Sequence, residues 1–453
     1  MEKSKHRSTF SGSFGFILAA AGSAVGLGNL WRFPYLAAKY GGGIFLLVYI
    51  ILAITFGFAL MVTEIAIGRK TRKSPMKAFG ELNPKWGWLG KLATLVPVLI
   101  LPYYCVIGGW VTKFTAAMCT GDAVKAAEDS YFTGFISQTG EPIVWFLIFV
   151  GITAGVIMLG VNKGIEKLSR FLMPALLILT IVLTVFVVTR SGALEGVKYY
   201  LMPDFSKFSI KTVLAALGQL FFSMSLAMGI MVTYGSYVKA EDHIEVSTRR
   251  IEAFDTAIAF LAGLMIVPAV FAYSGGDETA LGKGPSLMFI TLPKVFAEMK
   301  FGTVIGAAFF ILVLFAAITS SISVMEAIVA GINDTFKIER KKATLIVFVY
   351  AVVIGVLCSL GFGRLSSITI FGFSILDFLD FVSNSVLMPI VGMMTCVLVG
   401  FIIKPDMIIS EVELNGPFKM KRFYAVMVKW IAPLFIFAIL VSSILESLGI
   451  IAF

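Results

Sequence analysis

Apolar runs of about 20 residues recur along the whole chain, and this pattern constrains the fold more than any other feature of the sequence. A run of that length crosses the hydrocarbon core of a bilayer as one α-helix. The composition agrees, because 58% of the residues are hydrophobic and only 14% are charged, whereas about a quarter are charged in a soluble domain. The pattern predicts an all-α integral membrane protein whose single transmembrane domain occupies residues 1–453.

The apolar runs predict eleven spans, which divide into two groups of five and one extra helix at 423–447. The two groups, at about 13–189 and 211–403, are expected to form an inverted repeat. An odd number of spans places the two termini on opposite sides of the membrane. The predicted spans are 13–37, 42–68, 92–119, 142–160, 169–189, 211–237, 250–274, 302–331, 343–361, 374–403 and 423–447.

Basic residues are concentrated in the segments on one side of this arrangement. KSKHR, GRKTRKSPMK, NKGIEKLSR, STRR, KIERKK and KMKR alternate with segments of little net charge, so the positive-inside rule predicts a cell-membrane protein with a cytoplasmic N-terminus. The net charge of +10 therefore indicates a lipid bilayer as partner and not nucleic acid. No cleavage site follows the polar N-terminal segment, so no removable signal peptide is expected.

Several other classes of protein fit the sequence poorly. The four cysteines include no C-x-x-C pair, so neither a disulfide framework nor a zinc site is expected. The two histidines, His6 and His243, fall in predicted cytoplasmic segments without a visible nucleophile, which argues against an enzyme. An ion channel would need a continuous polar stripe or a repeated filter, and neither pattern is visible.

The stretch AGSAVGLGNLWRFP, from Ala21 to Pro34, interrupts the first apolar run. Its three glycines favour unwinding, because each destabilises a helix interior by about 1 kcal/mol relative to alanine. Unwound backbone in a membrane must line a cavity or bind something. Its carbonyls and the side chain of Asn29 are oxygen ligands suited to a hard cation, and the next half-helix offers its N-terminus to a carboxylate.

A second interruption, SMSLAMG at 223–229, lies in the sixth span. Broken helices at corresponding positions of two halves indicate a binding site near the membrane midplane. Two other interpretations exist. The small residues allow close helix packing, and GLGN matches part of a dinucleotide fingerprint, although Trp31 stands where that motif needs glycine.

SAVGLGNLWRFP, the GGG at 41–43, GQLFFSMSLAMGIMVTYGSY at 218–237 and AAITSSIS at 316–323 together resemble the neurotransmitter:sodium symporters. The closest resemblance is to the bacterial amino-acid transporters with eleven spans. It implies a 5+5 inverted repeat with broken first and sixth helices, two Na⁺ sites and alternating access. The expected function is sodium-coupled, chloride-independent import of a neutral hydrophobic or aromatic α-amino acid by a monomer or weak homo-oligomer. The alternative is a membrane sensor that binds an amino acid without concentrating it.

The resemblance assigns ligands to both Na⁺ ions. The first site takes the Ala24 carbonyl and the side chains of Asn29, Ser223 and Asp255. The second takes the carbonyls of Gly22, Val25 and Ala316 and the hydroxyls of Thr319 and Ser320. Adjacent hydroxyls in TSS at 319–321 agree with this assignment, although such hydroxyls also bond back to their own helix.

Asp255 departs from the pattern of the animal relatives, which have asparagine there and a chloride-binding serine one turn later. That later position is Ala259 in this chain. A carboxylate inside a span is costly and indicates function. We expect Asp255 to supply the charge that chloride supplies elsewhere, with Tyr49 and Gln219 around it. A corollary hypothesis is that Asp255 carries a proton outward on the return step. The alternative is that Asp255 only caps a helix.

The substrate class depends on Gly26, where monoamine transporters of this family have an aspartate for the amine. Glycine supplies no charge, so the ligand is expected to bring its own carboxylate for the Tyr104 hydroxyl. Its ammonium would meet carbonyls near Ala24 and Ser225. By resemblance, the rest of the substrate pocket consists of Ser23, Leu27, Gly28, Ile100, Phe222, Ser223, Met228 and Val324.

Two gates follow from the same resemblance. Arg32 and Asp380 form the outer gate, with Tyr104 and Phe222 as the lid beneath it. Arg7, Asp334 and Tyr237 form the cytoplasmic gate, where Phe10 replaces the usual tryptophan; the alternative for these ions is snorkelling to an interface. Glu64 is expected to brace amides of the broken sixth span. Glu326 and Asp377 receive no role.

Overall fold

The computed structural model describes residues 8–275 and 285–447, which form helices and short connections without any β-strand. We number the helices that build the membrane domain in chain order. They are α1 Ser13–Ala24, α2 Gly28–Lys39, α3 Gly43–Thr71, α4 Pro84–Thr120, α5 Glu141–Met158, α6 Val161–Val188, α7 Ile210–Ser223, α8 Ile230–Gly235, α9 Ile244–Ser274, α10 Gly302–Phe336, α11 Arg340–Leu360, α12 Ile375–Ile402 and α13 Lys421–Glu446.

Short helices connect these elements. They are Pro75–Leu82, Ala123–Ala126, Asp129–Ile136, Ala193–Leu201, Phe205–Lys207, Leu287–Thr291, Leu292–Glu298, Pro405–Val412 and Glu413–Asn415.

The number of membrane spans agrees with the sequence prediction only in part. Over residues 8–275 and 285–447, nine helices are long and apolar enough to cross a bilayer, and the bent pair α1–α2 makes a tenth. The predicted sixth span is divided between α7 and α8, and α7 alone is too short to qualify. The eleventh span therefore remains a prediction. Individual bounds also differ, because α4 begins at Pro84 and α6 at Val161, eight residues before the predicted starts at 92 and 169.

The first break lies where the glycine-rich stretch predicts it. α1 ends at Ala24, Val25 has an extended backbone with φ −71° and ψ 104°, and α2 starts again at Gly28 in a wide π-type turn. The two half-helices meet at an angle of 53°. Gly28 has a steric role as well, because a Cβ there would lie 2.8 Å from the Phe222 ring.

The second break has a different physical origin. Ser225, Ala227 and Gly229 all adopt left-handed backbone conformations, with φ of 53°, 59° and 69°. For the two non-glycine residues this costs roughly 1–2 kcal/mol each. Such strain persists only where surrounding contacts enforce it. The Ala227 N–H supplies one of these contacts by donating to Glu64 Oε1 of α3 at 2.6 Å.

Long helices pack around both breaks and fix their positions. α10 lies along α4, and α9 lies against α1, α2 and α3. α4 also approaches α5 closely at Gly109, where a Cβ would lie 2.6 Å from the Phe146 nitrogen. α12 packs on α13 and on the middle of α4. The result is a pair of broken helices enclosed by continuous ones.

Candidate substrate and ion site

A narrow cavity of about 20 Å³ lies between the two breaks. At this volume the side chains lie close together, so an amino acid would have to move them apart. All eleven residues predicted for the substrate pocket line this cavity, together with Gly26, Asn29 and Ser320. The eleven are Ser23, Ala24, Leu27, Gly28, Ile100, Tyr104, Phe222, Ser223, Ser225, Met228 and Val324.

Tyr104 places a hydroxyl in this cavity. Tyr104 is 5% exposed, and its Oη forms no hydrogen bond of good geometry with the described residues, although Ser320 and the Leu27 backbone lie near it. A Cβ at Gly26 would lie 3.3 Å from that oxygen and 3.2 Å from Ser320 Oγ, so glycine leaves free the small space that a side chain would fill beside the hydroxyl. A buried hydroxyl without a partner loses the free energy of a hydrogen bond. A ligand carboxylate in this space would provide that bond.

Asp255 forms the polar centre of the site and is fully buried on α9. Its Oδ1 accepts hydrogen bonds from Asn29 Nδ2 at 2.8 Å and from Ser223 Oγ at 3.0 Å. Its Oδ2 accepts a longer one from Tyr49 at 3.5 Å. The three side chains predicted for the first Na⁺ site therefore lie together, with Ala24 on the same cavity. Gln219 bonds elsewhere, donating from Nε2 to the Gly28 carbonyl at 3.0 Å.

The carbonyl of Ser23, in the last turn of α1, contacts both the second break and α10. It accepts hydrogen bonds from Ser225 Oγ at 3.0 Å and from Ser320 Oγ at 3.3 Å. The Ser23 hydroxyl in turn donates to Ser225 Oγ at 3.1 Å. These bonds connect the end of α1, the second break and α10 beside the cavity. Sequence patterns gave no sign of this junction, because each of its bonds spans more than 200 positions.

Part of the set predicted for the second Na⁺ site is brought together, although its hydrogen bonds differ from the expected ligand set. Gly22 lies beside Thr319, since a Cβ at Gly22 would lie 3.2 Å from Thr319 Cβ. The Thr319 hydroxyl bonds back to its own helix, at 3.0 Å from Phe315 O and 3.1 Å from Ala316 O. Val25 and Ala316 are fully buried. This geometry leaves the assignment of the second site a prediction.

A vestibule of about 440 Å³ opens above the cavity, and Leu27, Tyr104 and Phe222 line both spaces. Arg32 and Asp380, the predicted outer gate, line the vestibule but form no direct ion pair in the described part of the chain. The Arg32 guanidinium instead lies over the Phe222 ring, 5.5 Å from its centroid.

At the opposite end of the site, Tyr237 donates a hydrogen bond to Glu326 Oε1 at 2.7 Å. Glu326 is fully buried, and Arg340 donates to both of its carboxylate oxygens. Glu326, unassigned by sequence, thus has a buried ion pair, and Arg340 is a residue that sequence reasoning missed. The signal was the buried carboxylate itself, which needs a cation nearby.

The rest of the predicted cytoplasmic gate is described in part. Arg7 lies outside the described residues. Asp334 accepts a hydrogen bond from the Ser74 N–H at 2.6 Å. Phe10 is fully buried with its ring edge-on to Tyr237, and its N–H donates to the Tyr237 carbonyl at 3.1 Å. Phenylalanine therefore fills the position expected for tryptophan.

Comparison with known proteins identifies the family of the chain. A sequence model of the Sodium:neurotransmitter symporter family matches residues 7–134 and 131–450. The chain belongs to this family. An uncharacterized sodium-dependent transporter of Bacillus subtilis is 34% identical over 455 residues, which is 98% of each chain. The sodium-dependent dopamine transporter of Caenorhabditis elegans is 26% identical, over 79% of this chain and 69% of that one.

Among solved structures, the chain is similar to MhsT in complex with L-phenylalanine. The TM-score is 0.87 at 36% identity, and the match covers 96% of this chain and 100% of the other. The predicted family and all-α membrane fold are therefore confirmed. As a symporter-family protein, the chain is a multi-pass membrane transporter of a sodium-dependent family, and its relatives are transporters rather than enzymes.

Proposed function

We propose that this symporter-family protein couples the entry of Na⁺ to the import of a neutral α-amino acid with a hydrophobic or aromatic side chain. The observation that carries the proposal is the unpartnered Tyr104 hydroxyl beside Gly26, close to the Asn29–Ser223–Asp255 cluster. An anion site and a cation site share one cavity, as a zwitterion bound together with Na⁺ requires. The complex of MhsT with L-phenylalanine supports the same substrate class.

Each part of the substrate has a matching surface in this proposal. The carboxylate takes the Tyr104 hydroxyl and one Na⁺, and the ammonium takes backbone carbonyls near Ala24 and Ser225. The side chain lies among Ile100, Met228 and Val324, which are apolar. Met228 adapts to ligands of different shape because its side chain is flexible.

Two Na⁺ ions drive transport in this proposal, and Asp255 replaces chloride. Asp255 binds the first ion with Asn29 and Ser223, and Thr319 and Ser320 help to bind the second. The membrane potential supplies about 2.3 kcal/mol per charge per 100 mV, so two ions moving with one zwitterion concentrate the substrate. The transporter works as a monomer or weak homo-oligomer in the cell membrane, with its N-terminus inside. Outward transport of a proton by Asp255 remains a prediction.

The test is uptake of labelled neutral amino acids into proteoliposomes with an inward Na⁺ gradient, with and without chloride. Concentrative uptake that needs Na⁺ and not chloride is the expected result, and the panel identifies the substrate. Binding that depends on Na⁺ without accumulation would instead identify a sensor. If no amino acid binds, the role given to Gly26 is wrong.

A further inference from the structure

The vestibule contains a network of hydrogen-bonded side chains that extends beyond the predicted gate pair of Arg32 and Asp380. Asp380 Oδ1 accepts a hydrogen bond at 2.6 Å from Asn384 Nδ2, one turn further along α12. The same Nδ2 group donates to Tyr103 Oη of α4 at 3.0 Å. Tyr103 is 2% exposed. The Asp380 carboxylate is therefore connected to α4 through Asn384, and it forms no direct ion pair with Arg32 in the described part of the chain.

The backbone of α12 is shaped for this contact. Residues Phe381–Leu387 form a wide π-type segment that begins directly after Asp380 and contains Asn384. Such segments are frequent at functional sites, although this chain has others away from the vestibule. Asn384 Oδ1 is buried and has no partner within the described residues. The amide is thus fixed through its donor group alone, by Asp380 and Tyr103.

The charged side chains of Arg32 and Asp380 each contact another side chain while the vestibule is open, in place of each other. Asp380 has the Asn384 amide, and Arg32 has the face of Phe222 at 5.5 Å. A cation–π contact and a hydrogen bond to a carboxylate each compensate a partly buried charge. When the gate closes, these two contacts are replaced by one ion pair between Arg32 and Asp380. The free energy of closure is therefore small, because it is the difference between the stabilisation from the ion pair and the similar stabilisation from the two contacts it replaces.

We infer that Asn384 and Tyr103 form a catch that holds Asp380 in the open vestibule, and that closure transfers the Asp380 carboxylate from Asn384 to Arg32. The inference rests on the proposed function in treating the vestibule as the route to the substrate. Asn384 and Tyr103 are positioning residues in it, because they act through Asp380 and do not touch the substrate. They set the ratio of open to closed states and hence the apparent substrate affinity.

The test measures the opening of the vestibule directly. Ser443, which lines the vestibule on α13, is replaced by cysteine in a Cys119→Ser background, and its reaction rate with a membrane-impermeant thiol reagent is recorded in Na⁺ without amino acid. Asn384→Ala is expected to lower the ratio of open to closed states by about tenfold, since a hydrogen bond to a charged group supports such a change. Labelling slows accordingly. Tyr103→Phe should act in the same direction and more weakly.

A double variant separates the catch from a general structural effect. In an Arg32→Gln background Asp380 has no cation to receive it, so Asn384→Ala is expected to leave the labelling rate unchanged. Ser385→Ala, on the same vestibule-facing segment, is the matched control and should label like the parent. Size-exclusion profiles and thermal unfolding show whether each variant is folded.

Either of two results overturns the inference. One is parental labelling in folded Asn384→Ala and Tyr103→Phe proteins. The other is equal slowing by Asn384→Ala with and without Arg32. The labelling readout needs no substrate, so slowed labelling of Asn384→Ala together with a parent protein that transports no amino acid would retain the catch and refute the proposed function instead.

Discussion

Replacing Asp255 by asparagine removes one negative charge from the centre of the site and changes little else. In the variant, an amide oxygen in place of Oδ1 would still accept the hydrogen bonds from Asn29 and Ser223. In the native protein these two side chains donate to Oδ1 at 2.8 and 3.0 Å. Its NH₂ group in place of Oδ2 donates to the Tyr49 hydroxyl, 3.5 Å away. Asp255→Asn therefore tests the charge separately from the packing.

The expected effect follows from the charge alone. Two unit charges about 4 Å apart attract by roughly 4 kcal/mol at an effective dielectric constant of 20. A neutral amide also avoids part of the desolvation cost of a buried carboxylate, so we expect a net loss of about 2–3 kcal/mol in Na⁺ binding. This corresponds to a Kd that is roughly 30- to 150-fold higher. Chloride should restore part of the loss by supplying the missing charge.

The assay is Na⁺-driven uptake into proteoliposomes with gluconate or chloride as the anion, combined with Na⁺ titration of substrate binding. Asp255→Asn should transport poorly in gluconate and recover in chloride. Adding Ala259→Ser, which supplies a hydroxyl one turn later, should strengthen the recovery. The control is Asp377→Asn, which removes an exposed carboxylate that bonds to Ser374 at the start of α12. Unchanged Na⁺ affinity and chloride-independent uptake in Asp255→Asn would refute the reasoning.

Three further changes test other parts of the site. Tyr104→Phe should weaken substrate binding about tenfold without lowering the unfolding temperature, because the hydroxyl has no described partner to lose; a large loss of stability with unchanged affinity would contradict this. Gly26→Asp should abolish amino-acid binding in a Na⁺-dependent binding assay, since like charges would meet beside Tyr104; retained affinity would place the substrate carboxylate elsewhere. Arg340→Gln should destabilise the protein by about 3 kcal/mol by leaving Glu326 buried without its cation, and Arg340→Lys should recover part of this in thermal unfolding; an unchanged unfolding temperature would show that the pair contributes nothing.

The first break was predictable from sequence because its cause is local. Gly22, Gly26 and Gly28 weaken the helix where they stand, and the structure interrupts the helix there. The second break is not encoded in this way, because Ser225 and Ala227 have no preference for left-handed backbone. Their conformation depends on contacts from other helices, such as Glu64. The sequence located this break only through the polar residues around it and the family resemblance.

The site residues, like the second break, depend on contacts between helices that are distant in sequence. Asn29, Ser223 and Asp255 lie far apart in sequence. The family resemblance predicted that they share one site, and the structure places their side chains in contact. Pairs that the resemblance did not include were missed. Arg340 was read as one of several basic residues in a loop, and Asn384 as part of an apolar span. Side-chain pairing between helices depends on their rotation and register, which hydrophobic patterns do not specify.

The bond between Glu64 and the second break also concerns how the protein is made. Glu64 enters the membrane with α3, whereas its partner, the Ala227 N–H, follows 163 residues later. At a synthesis rate of about 5–20 residues per second, this delay lasts roughly 8–30 seconds. During that time an ionisable side chain lies in an apolar helix without the group that later stabilises it. The sixth span thus supplies the hydrogen bond that Glu64 lacks when α3 is inserted. The first half of the protein therefore reaches its final structure only after the second half has been inserted.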